Sequence, residues 1–165
     1  MAHHTPVTMI YMRAIFVIAA LLVTPASALD TNAVVGWADQ NCATGTSECS
    51  EFASDALKAG GEDYCWNKWA PTLVNCLLYG KNPPHYYKTS FPGPRGSVVV
   101  YYDSKGPYHV AISKGDGTTD QHNHNACGEN GNWATNYVIA PYGASELAWL
   151  ASGNSTGNES LHVPK

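Results

Sequence analysis

Five cysteines and seven histidines are the residues of this 165-residue chain best suited to chemistry. Cys42, Cys49, Cys65, Cys76 and Cys127 are odd in number, so at least one thiol is free or pairs between chains. Cys49 has the surroundings of a nucleophile. It follows Thr46-Ser47, two good helix-capping residues, and so falls in a first helical turn. There the unpaired backbone N–H groups and the helix dipole favour an anion, which predicts a lowered thiol pKa. A thiolate needs a base to cycle protons, and His109 interrupts the otherwise apolar stretch Tyr108-His109-Val110-Ala111-Ile112. A histidine in such a strand is either buried and satisfied or faces a cleft.

A third polar residue would hold the imidazole. If the following hairpin turns on two residues, Gly115-Asp116, His109 stands opposite His122, with Cβ atoms about 4.5–5.5 Å apart. That separation lets a second imidazole orient the first and hold its tautomer. A three-residue loop that includes Gly117 moves the partner to Asn123, which can also orient an imidazole. Strand parity puts Asp120, His122 and His124 on one face and Gln121 and Asn123 on the other. His122 is taken as the third member, with His124 and Asn123 as alternatives. Competing readings place Cys49 in a disulfide, or make His109 a structural histidine. A metal site from His109, His122 and His124 lacks an Asp/Glu motif to join it, so neither metal nor cofactor is expected.

The elements that must carry these residues can be read along the chain. Arg13, the apolar run Ala14 to Val23 and Pro25-Ala26-Ser27-Ala28 have the layout of a secretory signal peptide over residues 1–28. The run is short for a membrane span. An oxidising destination turns most cysteines into disulfides. With one thiol free, the other four allow three connectivities; the pairing expected is Cys65–Cys76 as a local staple and Cys42–Cys127. Asp30 or Thr31 caps a first helix that ends before Cys42. A second runs from Glu48 to Gly60-Gly61, and a third begins at Pro71 and ends before Gly80. The period then changes. Val98 to Tyr102, Tyr108 to Ser113, Thr118 to about Asn125 and Trp133 to Ala140 read as strands of an antiparallel meander, giving an α+β domain. Residues 151–165 form a polar, flexible tail with glycosylation sequons at Asn154 and Asn158.

Composition narrows the function. The chain is 44% hydrophobic, enough for one domain with a real core. Its formal charge of -4 and lack of a Lys/Arg cluster exclude an ordinary nucleic-acid binder. Five tryptophans (Trp37, Trp66, Trp69, Trp133, Trp149) serve either core packing or a glycan groove.

Ser47-Glu48-Cys49-Ser50-Glu51-Phe52 at a helix start resembles the nucleophile motif of the NlpC/P60 and CHAP-like cell-wall peptidases. Gly93-Pro94-Arg95-Gly96-Ser97-Val98-Val99-Val100-Tyr101 resembles the strand that introduces their catalytic hairpin. Gly106-Pro107-Tyr108-His109-Val110-Ala111-Ile112 is similar to their histidine strand, and Gln121-His122-Asn123 to the strand bearing their third polar residue. The resemblance covers most of residues 30–142. It implies a papain-like fold of the NlpC/P60 type, N-terminal helices packed on a small antiparallel sheet, with a catalytic domain over residues 29–150. It implies a secreted, monomeric cysteine hydrolase that cuts amide bonds of bacterial peptidoglycan through Cys49, His109 and His122 and a thioester intermediate, without stable membrane association. Where the family has Asp before the nucleophile, this chain has Glu48; the family's upstream tyrosine has only Trp37 as a loose substitute. The other function class is a catalytically inactive, disulfide-stapled secreted binding module or toxin on the same scaffold.

Overall fold

A computed structural model describes residues 28–44, 47–80, 86–123, 126–145 and 147. Nearly all of the expected signal peptide, the tail with its sequons, His124 and Trp149 lie outside the described residues.

Three helices come first. α1 (Thr31–Asn41) is capped by Asp30, whose carboxylate accepts from the N–H groups of Asn32 at 3.1 Å and Ala33 at 3.0 Å. α2 (Cys49–Ala59) starts after Glu48, whose own N–H donates to the Glu51 carboxylate at 3.2 Å, so Cys49 is its first helical residue. The helix stops at Gly60, where a Cβ would come within 2.5 Å of the Val34 side chain; glycine is what lets the end of α2 meet α1 this closely. α3 (Ala70–Tyr79) has Pro71 in its first turn and closes before Gly80.

Six strands follow: β1 (Tyr86–Thr89), β2 (Val98–Asp103), β3 (Gly106–Ser113), β4 (Thr118–Gln121), β5 (Ala126–Asn130) and β6 (Asn136–Pro141). They form one antiparallel sheet in the order β1-β6-β2-β3-β4-β5. The architecture is α+β, as expected, with two more strands than the sequence suggested. Both additions, β1 and β5, are edges. The fourth expected strand begins later than Trp133, at Asn136.

The sheet is buried on both faces, which explains the unbroken apolar run of β2. On one face Val98, Val100, Val110, Ile112 and Ile139 pack with Val34, Phe52, Leu57 and Leu73 of the helices. On the other, Val99, Tyr101, Ala111 and Val138 lie under Phe91 and Ala134. Period-two alternation therefore sends Val110 to the helices and His109 to the opposite side.

Cys42–Cys127 and Cys65–Cys76 are disulfides, the pairing expected, and Cys49 is a buried free thiol. Two disulfides fit an oxidising compartment. No helix among the described residues is long and apolar enough to cross a membrane.

Candidate active site

The β3–β4 hairpin decides which polar side chain meets His109. The Lys114 N–H bonds the Thr118 carbonyl at 3.0 Å, leaving Gly115-Asp116-Gly117 as a three-residue loop. Both glycines take positive φ, +85° and +92°, and the Asp116 carboxylate accepts from the Thr118 N–H at 2.9 Å. The resulting register pairs Ile112 with Asp120 and Ser113 with Thr119. One step further, Gln121 falls opposite Ala111 on the His109 face. Its amide reaches diagonally past that small side chain, and Oε1 bonds Nε2 of His109.

The expected third member, His122, is therefore not beside His109. A one-residue difference in register moves a side chain to the other face. His122 lies among the helices, with Nδ1 bonded to Ser47 Oγ at 2.7 Å, Nε2 bonded to the Asn41 carbonyl at 2.9 Å and its ring 4.4 Å from that of Phe52. Asn123, the alternative, donates instead to the Glu48 carboxylate at 3.0 Å. Gln121 is the residue that sequence reasoning missed. Its parity was correct: the longer loop brings both Gln121 and Asn123 to the His109 face, and it is the diagonal Gln121, not the opposed Asn123, that bonds the ring.

The Gln121 bond fixes the chemistry of His109. A carbonyl oxygen only accepts, so Nε2 carries the proton and Nδ1 is the basic nitrogen. The ring is 4% exposed and lies 5.4 Å from the Tyr101 ring and 6.0 Å from that of Trp133. Trp133 in turn stacks on Tyr101 at 4.3 Å, and the Tyr101 hydroxyl donates to the Gly131 carbonyl at 2.8 Å. This aromatic block holds the imidazole plane. Replacing Gln121 with alanine removes the tautomer lock, and kcat should fall about 10- to 100-fold with KM little changed. Steady-state kinetics on a soluble substrate peptide checks this; an unaltered kcat removes Gln121 from the site.

Cys49, the first residue of α2, is buried in the core between the helices and the sheet. The backbone N–H groups of Val110, the residue after His109, and of Ser50 and Cys49 itself lie near enough to favour its thiolate. The thiol is nevertheless held above its ordinary pKa. Burial is the largest cause, the Val110 N–H pulls back, and the Glu48 carboxylate pushes up again. This corrects the expectation of a lowered pKa: the helix start does favour the anion, but desolvation at 6% exposure outweighs it. Glu48→Gln should lower the thiol pKa and raise the rate of alkylation by iodoacetamide at neutral pH about threefold, an effect that high salt diminishes. An unchanged or slower rate contradicts the assigned role of the Glu48 charge.

A groove of about 490 Å³ lies alongside, lined by Gln121, Glu129, Asn130 and Trp133. Two of these four, Gln121 and Trp133, also contact His109. It offers an exposed indole face, an amide and a carboxylate, a mixture suited to a polar ligand with some flat apolar surface. Among the described residues no group of three His, Cys, Asp or Glu side chains is placed to hold a metal ion. No family model, curated protein or solved structure matches the chain.

Proposed function

We propose that the protein is a secreted cysteine hydrolase that cleaves amide bonds of bacterial peptidoglycan, with Cys49 as nucleophile, His109 as acid and base and Gln121 as the residue that orients His109. One observation carries the reading: the free thiol at the start of α2 meets the backbone beside a histidine whose tautomer leaves Nδ1 as the basic nitrogen. The papain-like arrangement and the cell-wall substrate rest on the motif resemblance. The groove beside His109 supports a polar substrate.

Burial favours the protonated form of Cys49, so the nucleophile enters the reaction as a thiol. Cys49 Sγ attacks the carbonyl carbon while its proton passes to His109 Nδ1. The imidazolium is held by Nε2–H to Gln121 Oε1. The tetrahedral oxyanion takes the Cys49 N–H as its first donor. His109 then protonates the leaving amine, the C–N bond breaks and a Cys49 thioester remains. Water, deprotonated by His109, attacks the thioester; the carboxylic acid leaves and the thiol is restored.

Incubating purified sacculi with the protein and analysing the soluble fraction by mass spectrometry tests the substrate. Release of peptide-bearing fragments with a new amine and a new carboxyl supports the reading and names the severed bond. Sacculi left intact under conditions where a small thioester substrate is hydrolysed would reject the cell wall and keep the chemistry. Low exposure of Cys49 and its raised pKa favour a second reading, the inactive binding module, in which sacculi are bound and not cut.

A further inference from the structure

Gln121, His122 and Asn123 are consecutive, and each makes a side-chain bond to a different part of the site. Gln121 holds His109. His122 bonds the Ser47 hydroxyl through Nδ1, and Asn123 donates to Glu48, the two residues that lead into Cys49. We infer that this turn is a single positioning element that sets the nucleophile and the base relative to each other, with His122 and Asn123 acting on Cys49 through Ser47 and Glu48. The inference rests on the hydrolase reading above and adds to it two positioning residues that do not touch the substrate.

Strand alternation is what allows three neighbours to do this. Gln121 projects to the face that carries His109, and His122 to the face packed with helices, so one turn grips elements on both sides of the sheet. The His122 grip has a fixed sense. The Asn41 carbonyl only accepts, so Nε2 donates to it, and Nδ1 is the nitrogen that bonds the Ser47 hydroxyl. The ring is 3% exposed and packed on fully buried Phe52, which leaves it little freedom to turn. Asn123 completes the grip in a left-handed backbone conformation, φ +75°, unusual for a residue with a side chain. In that conformation its amide donates to Glu48. Disulfide Cys42–Cys127 ties the chain next to Asn41 to β5 just beyond the turn, so the element is anchored on both flanks.

The double variant Ser47→Ala/Asn123→Gly tests this. Glycine accepts φ +75° without strain, so the backbone path survives while both bonds to the approach of Cys49 are lost. On a soluble peptidoglycan-derived peptide, kcat should fall about 10- to 100-fold with KM within about twofold, the signature of misplaced reacting groups. The pH inflection of Cys49 alkylation by iodoacetamide should move. Ser47→Thr, which keeps the hydroxyl, should restore both readouts when paired with native Asn123. A double variant with native kcat and an unmoved inflection overturns the inference, as does a kcat loss matched by the fraction of unfolded protein. Should the native protein cut no peptidoglycan, the hydrolase reading fails separately. The alkylation profiles then decide the positioning role: moved in the double variant and native in Ser47→Thr, or unmoved in both and the inference is wrong.

Discussion

Cys49→Ala is expected to lower kcat/KM for peptidoglycan-derived peptides by at least about ten-thousandfold, because no other group can form the thioester. The fold should survive. Sγ is the only heavy atom removed, and the small void at the start of α2 costs roughly 1 kcal/mol, a shift in melting temperature of a few degrees. Cys49→Ser should be nearly as inactive: the hydroxyl is a far weaker acid than the thiol, and the burial that holds the thiol proton on holds the hydroxyl proton on more firmly. Loss of activity with a native circular dichroism spectrum fits this role. Retention of even a tenth of the native rate in Cys49→Ala rules it out.

The second large effect is on stability. Cys42–Cys127 closes a loop spanning 85 residues, and Cys65–Cys76 one spanning 11. Chain entropy in the unfolded state then gives the longer crosslink about 4–5 kcal/mol and the shorter about 3 kcal/mol. Cys42→Ala/Cys127→Ala should therefore lower the urea midpoint more than Cys65→Ala/Cys76→Ala. It should also slow catalysis at temperatures where the protein is still folded, since Cys42 adjoins Asn41, whose carbonyl holds His122. Equilibrium urea unfolding of the two double variants compares them directly. A larger loss from the shorter loop would mean that the unfolded chain is already ordered around residues 42 and 127.

Why some of this was legible in the sequence and some was not follows from the residues. Helix boundaries were legible because their signals are local: Asp30 as a cap, Gly60-Gly61 as a stop, Pro71 in a first turn. The disulfide pairing was also legible, through its short local loop. β1 was hidden because Tyr86-Tyr87-Lys88-Thr89 lies between two proline-rich stretches and is held by β6, a partner distant in sequence. β5, Ala126-Cys127-Gly128-Glu129-Asn130, has no β-branched residue and is mostly exposed, so neither propensity nor periodicity marks it. The site failed on loop length. Gly115-Asp116-Gly117 supports a two- or a three-residue hairpin; the longer one takes His122 off the His109 face and puts Asn123 and Gln121 there, of which the diagonal Gln121 makes the bond. The thiol failed on burial. A helix start can be seen in a sequence, but the desolvation that reverses its effect depends on how α2 packs in the core.

Covalent capture offers the most direct test of nucleophilic attack by Cys49 with His109 as base. The protein is mixed with a peptidoglycan-derived peptide, quenched in acid within the first turnover and its intact mass recorded. An increment equal to the acyl half of the peptide, located on Cys49, removed by hydroxylamine and strongly reduced in His109→Ala, is the expected result. Product release with no acyl adduct in the native protein, or an adduct that forms equally fast without the His109 imidazole, would contradict it.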